Sequence, residues 1–190
     1  MSQFAGFARG PNEVPYFASV VMSPSKDEQT VVRRLFIDNR DRYDATHTSP
    51  FDFKIYLGND PDRSVGISGY ENVVSVELKA VSFPKIANER YVIMSVDELN
   101  DNMLEATNSG THNAFAIIYF DSDVLATGAV RPFKGSDFYQ KQLLFRPPLA
   151  KLNTLSFKFL KHPGNVVTTS DTNNETHVSV VLEITTRVNR

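Results

Sequence analysis

Residues 74 to 80 carry the pattern that most constrains how this chain can fold. Apolar side chains recur there at every second position, with polar ones between them: Val74, Val76, Leu78 and Ala80 against Ser75, Glu77 and Lys79. This period of two predicts a β-strand, because a helix would bring Glu77 into the same stripe as Val74 and Leu78. Pro84 has no N–H to donate, so we expect the strand to end there.

A second apolar run, residues 91 to 96, follows after a short polar crossing. It has no clean alternation, which predicts a strand covered on both faces or lying at a subunit contact. The run leads into Asp97 and Glu98, with Asp101 close behind. These acidic residues lack the spacing and the glycine of a calcium-binding loop. We therefore expect a solvated acidic turn.

Several other segments are also typical of strands, and none has the period of an amphipathic helix. They are residues 31–37, 51–57, 115–120, 138–145, 155–159 and 178–188. In the last of them, one face is predicted to carry Val178, Val180, Leu182, Ile184 and Thr186. Pro147-Pro148 is expected to be a firm break.

About eight short strands joined by Pro/Gly turns predict an all-β sandwich or barrel. The long, uneven connections favour Greek-key crossings, and hence a single jelly-roll β-sandwich. The length of 190 residues suits one such domain. We assign residues 30–190 to the jelly roll and residues 1–29 to an irregular N-terminal arm.

The arm contains three prolines and four aromatic side chains, Phe4, Phe7, Tyr16 and Phe17. These aromatics would bury against either their own domain or a neighbouring subunit. We predict that they form an interface and that the arm is an assembly element.

Composition argues against several classes of protein. The net charge of −2 disfavours binding to nucleic acid or to an anionic membrane. No apolar run approaches the roughly 20 residues of a membrane helix, and the N-terminus lacks the apolar region of a signal peptide. The chain has no cysteine, which excludes disulfides and thiol chemistry. Basic residues near Phe133, Phe138, Tyr139 and Phe145 could bind single-stranded nucleic acid. Phenylalanine at strand positions is more often part of the core, and we favour that interpretation.

The sequence lacks the common signatures of catalysis. The histidines, His47, His112, His162 and His177, are far apart and form no His-x-His pair. No nucleophile motif and no phosphate-binding loop is present. The charges between Asp38 and Asp44 suggest either a carboxylate site or a solvated loop with i, i+2 salt bridges, and we favour the loop. We therefore predict no catalytic, cofactor or metal site, and no enzyme. Asn174 begins the single glycosylation sequon, in an expected exposed loop.

Five segments, in this order, resemble one family: Leu35 to Arg42, Phe51 to Ile55, Val73 to Pro84, Tyr91 to Leu99 and Ala114 to Ala116. The chain is similar there to the small single jelly-roll capsid proteins of the nucleocytoplasmic large double-stranded DNA viruses. The likeness spans roughly residues 31 to 120, and the C-terminal third agrees in strand pattern alone. No individual functional residue is carried over from it.

The resemblance implies a structural virion protein located in an icosahedral capsid. Because the chain is barely longer than one jelly roll plus an arm, we expect the penton, a homopentamer at each five-fold vertex. Its partners would then be major capsid protein trimers and minor capsid proteins, with no nucleic acid and no membrane insertion. One alternative is a minor capsid protein that cements the major capsid trimers. An alternative of another class is a carbohydrate-binding jelly-roll module, in which the polar loop 164–177 would be the first candidate for the glycan-binding site.

Overall fold

The computed structural model describes residues 29–42, 49–58, 69–99, 114–120, 126–139 and 142–188. These residues contain no α-helix, and their only helical segments are short 3-10 turns. No helix among them is long and apolar enough to cross a membrane. Their strands are β1 (Gln29–Asp38), β2 (Asp52–Tyr56), β3 (Tyr70–Pro84), β4 (Tyr91–Val96), β5 (Ala114–Tyr119), β6 (Val130–Lys134), β7 (Phe138–Tyr139), β8 (Gln142–Leu152), β9 (Thr154–Lys161), β10 (Asn165–Val166) and β11 (Ser179–Val188). The all-β prediction is confirmed.

One antiparallel sheet, sheet A, has five strands. Within the described residues β1 lies at its edge and pairs along its whole length with β11. β11 pairs in turn with β3. β3 is 15 residues long, so its second half pairs with β6 while its first half pairs with β8.

The other antiparallel sheet, sheet B, has six strands and is built around β9. β2 and β10 pair with one side of β9. β4 pairs with its other side. β5 follows β4, and the short β7 follows β5.

The inward sides of the two sheets share one apolar core, which makes the arrangement a sandwich. Phenylalanines join the sheets across it: the rings of Phe83 in β3 and Phe159 in β9 have centroids 4.8 Å apart. Phe53 and Phe157 stack within sheet B at 5.2 Å. Each such pair adds about 0.5–1.5 kcal/mol beyond the area that it buries. The predicted inward face of β11, with Val178 just before it, is confirmed, because Val178 to Thr186 are buried at every second position.

Strand β3 is confirmed and ends at Pro84, but its inward face differs from the predicted alternation. The register with β11 shifts around Val74 and again around Lys79, so each is an extra residue in a β-bulge. A bulge moves the next side chain to the other face, and Val74 and Ala80 are therefore only half-buried. The buried side chains of β3 are Tyr70, Val73, Ser75, Val76, Leu78, Val81, Phe83 and Pro84.

The predicted break at Pro147-Pro148 is wrong, because β8 runs through both prolines. Leu144 pairs with Ser75 and Leu149 with Val73, so residues 145 to 148 of β8 lie opposite Val74 alone. Pairing is interrupted there, and no N–H is needed from either proline. The segment 138–145, expected to hold a short strand, contains β7 and the start of β8, and the two belong to different sheets, β7 to sheet B and β8 to sheet A.

Strand β4 is covered on both faces, as its lack of alternation predicted. Val92, Met94 and Val96 belong to the core between the sheets. Ile93 and Ser95 point to the opposite side and are nevertheless only 0% and 7% exposed.

Candidate interaction surfaces

Some of the predicted positions lie outside the described residues. These are the interface aromatics Phe4, Phe7, Tyr16 and Phe17, together with Asp44, His47, Asp101 and His112. The arm interface therefore stays a prediction, and the surfaces below are built from described residues alone.

The acidic turn after β4 is half solvated and half fixed. Asp97 is exposed and pairs with Lys158 Nζ at 3.0 Å, and this hydrogen bond raises the pKa of Lys158. Glu98 instead accepts hydrogen bonds from Ser156 N at 2.6 Å, Ser156 Oγ at 2.8 Å and Thr154 Oγ1 at 3.1 Å. The prediction of a solvated turn is right for Asp97 and wrong for Glu98, which binds β9 just beyond the end of β4.

The charge cluster after β1 is an ordered turn. Asp38 is 6% exposed and accepts from Arg40 N and Arg40 Nε, each at 2.9 Å. The side-chain hydrogen bond from Arg40 lowers the pKa of Asp38 to about 2. Asn39 is buried and donates from Nδ2 to the carbonyls of Pro50 and Thr176. The predicted i, i+2 salt bridge is confirmed, and the turn ties three segments together.

No group of three or more His, Cys, Asp or Glu side chains within the described ranges could hold a metal ion. The two described histidines have different neighbours: His162 Nδ1 lies 3.5 Å from the Tyr91 hydroxyl, whereas the backbone N–H of His177 donates to Glu175 Oε1 at 2.9 Å.

The polar loop 164–177 is held largely by its own hydrogen bonds. Asp171 accepts from Thr168 N at 2.8 Å and from Lys161 Nζ at 2.5 Å. Burial opposes the charge of Asp171, but the hydrogen bonds from Lys161 and Thr168 outweigh it and lower its pKa. Asn174 is exposed in this loop with φ of 65°. The sequon asparagine therefore lies at the surface, as predicted.

The outward side of sheet A carries exposed apolar side chains beside a row of charges. Val32, Phe36 and Leu144 are 56%, 63% and 49% exposed. Val32 and Phe36 flank Arg34 on β1, and cross-strand pairing places Glu183 beside Arg34 and Glu77 beside Glu183. The surface called here the sheet A face consists of Val32, Arg34, Phe36, Glu77, Lys79, Leu144 and Glu183.

The charges of the sheet A face neutralise one another. Glu77 and Glu183 are direct cross-strand neighbours, and such like charges repel. Lys79 Nζ bridges them, at 2.9 Å from Glu77 Oε2 and 3.0 Å from Glu183 Oε1. Arg34 Nε lies 3.2 Å from Glu183 Oε2. Hydrogen bonds from Lys79 and Arg34 lower the pKa of Glu183, and those to Glu77 and Glu183 raise the pKa of Lys79. Lys79 and Glu183 therefore stay ionised at neutral pH.

The outward side of sheet B carries a group of three tyrosines, called here the tyrosine patch: Tyr91, Tyr119 and Tyr139. Tyr119 and Tyr139 are 47% and 55% exposed. Tyr91 and Tyr119 are cross-strand neighbours whose ring centroids lie 6.3 Å apart, edge to face. Tyr139 pairs with Ile117, two residues before Tyr119 on β5, so the tyrosines are diagonal neighbours within side-chain reach.

Neither surface was singled out from the sequence. Leu35, Phe36 and Ile37 read as one apolar run, and only the burial of Leu35 and Ile37 shows that Phe36 points outward. The sequence did contain one indication of the sheet A face: Phe36 occupies a strand position whose alternating neighbours on the same face, such as Arg34, are polar. The interpretation of Phe133 and Phe138 as core is confirmed, since they are 0% and 9% exposed.

Comparison with known proteins gives no family assignment. No protein-family model matches the chain, and no curated protein is similar to it in sequence. The described residues thus define a class by structure: an antiparallel two-sheet β-sandwich with a different exposed surface on each sheet.

Proposed function

We propose that this chain is a single jelly-roll capsid subunit, and specifically the penton protein of an icosahedral virus. The order of the strands carries the proposal. β7 and β10 have two residues each and are set aside, as is β6, which pairs with β3 only where β8 does not. Sheet A then has the order β1-β11-β3-β8 and sheet B the order β2-β9-β4-β5.

Numbered along the chain, these eight strands have the orders 1-8-3-6 and 2-7-4-5. The first strand lies beside the last, and the chain passes from one sheet to the other between strands 1 and 2. Two Greek keys rolled together produce this arrangement, which occurs in viral capsid proteins, lectins and cupins. The step from fold to capsid is an analogy at the level of the fold. The five segments that resemble nucleocytoplasmic virus capsid proteins favour the capsid among these classes.

The penton role draws support from the two exposed surfaces. A five-fold ring needs two different patches on each subunit, one for each neighbour. The sheet A face and the tyrosine patch are different in chemistry, and they lie on the outward sides of opposite sheets. Partners in the particle would be further copies of this chain, major capsid protein trimers and minor capsid proteins.

A symmetry-averaged map of the particle tests the proposal. Five copies around every vertex are expected for the penton. Copies under or between the facets would replace the penton role by that of a cementing minor capsid protein. Absence of the chain from purified particles, together with specific retention on a glycan array, would replace the capsid proposal by the carbohydrate-binding alternative.

A further inference from the structure

We infer that copies of this chain associate head to tail, with the sheet A face of one copy packed against the tyrosine patch of the next. The inference rests on the proposed function for the identity of the partner, which is a second copy of this chain. The contact itself is argued from the exposure, charge and size of the two surfaces.

The sheet A face is suited to burial because it carries no uncompensated charge. Removing charges from water is costly even when they are paired, and the cost is largest when one of them loses its counter-charge. Here Lys79 and Arg34 already neutralise Glu77 and Glu183 at 2.9–3.2 Å. A neutral partner surface can therefore cover this row without stranding a charge, and the exposed Phe36 and Val32 gain from the contact.

The tyrosine patch has the chemistry that this charged and apolar face requires. Its rings offer apolar area to Phe36 and a π-face to the guanidinium of Arg34, whose side chain is 75% exposed. Tyrosine hydroxyls can donate to carboxylates, and Glu183 is still 20% exposed at its side chain. Tyrosine and arginine are also enriched at the centres of protein interfaces.

The small size of the contact predicts an association between subunits that is stable only in a closed ring. Four strands about 4.8 Å apart and about seven residues at about 3.3 Å cover roughly 450 Å² of flat sheet. The tyrosine patch is smaller, because it lies on three strands of which β7 has only two residues. The contact therefore buries less than about 900 Å² in total, below the roughly 1,000 Å² expected of a stable complex. One contact alone is therefore weak. A ring gives every subunit two contacts, and the last contact closes within the assembly at high effective concentration.

The experiment uses the absence of cysteine from the full chain. Phe36→Cys places one thiol on the sheet A face, Tyr139→Cys places one on the tyrosine patch, and Ser170→Cys is an exposed control on neither surface. Each full-length variant, alone and in equimolar pairs, is treated with a short bismaleimide linker at high protein concentration. The expected result is a cross-linked dimer in the Phe36→Cys plus Tyr139→Cys mixture, and no dimer above the Ser170→Cys level in either variant alone.

Three results would overturn the inference. Dimers of Phe36→Cys alone would show that sheet A faces pair with each other, and dimers of Tyr139→Cys alone would show the same for the tyrosine patch. No dimer above control in the mixture would exclude the contact altogether. The particle map remains an independent test: copies away from the vertices end the penton proposal while the head-to-tail contact stands. Five copies at the vertices without the mixed cross-link end the contact while the penton proposal stands.

Discussion

Replacing Glu98 by alanine should destabilise the protein far more than replacing its neighbour Asp97. Glu98 accepts hydrogen bonds from the backbone N–H and hydroxyl of Ser156 and from the hydroxyl of Thr154. The N–H group lies on the side of β9 that β4 stops covering after Val96. The carboxylate therefore replaces the missing strand, and its removal leaves a part-buried N–H without its acceptor.

The magnitude follows from the number and kind of these bonds. A hydrogen bond to a charged group contributes about 1.5–3 kcal/mol, and an unsatisfied buried donor costs about 1–3 kcal/mol. The two hydroxyls can turn to water, so the backbone N–H dominates. We expect Glu98→Ala to lower the free energy of unfolding by about 2–3 kcal/mol, which for a chain of this size lowers the Tm by roughly 4–12 °C.

Asp97→Ala is the matched control, one residue away and of the same charge. The Asp97–Lys158 pair is 47% and 40% exposed, and such pairs contribute about 0–1 kcal/mol. Equilibrium unfolding in urea, followed by tyrosine fluorescence and circular dichroism, measures both variants. Equal losses in the two, or a loss below about 0.5 kcal/mol for Glu98→Ala, would refute the reasoning that the carboxylate completes the sheet.

Three further predictions concern the turn, the core and the arm. The pKa of Asp38 is about 2 instead of 3.8, so its stabilisation is present above pH 4 and is lost as the pH falls toward 2. Asp38→Asn should therefore cost about 1–2 kcal/mol at pH 7, allowing for the exposed Arg40, and only a small fraction of that near pH 2, where the folded protein is half protonated at Asp38. A cost that is the same at both pH values contradicts this. Phe157→Ala should cost about 3–5 kcal/mol in chemical denaturation, whereas Phe36→Ala on the surface should change the stability of the dissociated subunit by less than about 0.5 kcal/mol. Deleting residues 1–25 should leave the β circular dichroism spectrum intact and impair assembly, whereas an unfolded product would place the arm in the subunit's own core.

The sequence predicted the strands best where one face of the strand is buried and the other is exposed to solvent. Leu155, Phe157 and Phe159 alternate with polar residues, and each is 0% exposed. In a strand with one buried face, apolar side chains must recur at every second residue. The local sequence pattern therefore agrees with the long-range packing there. The same logic failed in β3, because a bulge depends on the register with β11 and leaves no mark on the composition of β3 itself.

Contacts between distant segments explain the other failures. Nothing near Glu98 in the sequence indicates that Thr154 and Ser156 will lie beside it. Nor does the pair Pro147-Pro148 reveal that the partner strand offers only Val74 opposite it. The two exposed surfaces were missed for the same reason, since each is assembled from strands that are far apart along the chain.

Lys79, the extra residue of one of the two bulges in β3, also belongs to the proposed contact surface. Sheet register alone sets Glu77 directly against Glu183, an unfavourable pair on the outward side. The extra residue that breaks the alternation is a lysine, and its ammonium group lies within 3.0 Å of both carboxylates. Lys79 therefore converts a repulsive pair into a neutral network that a second subunit can cover.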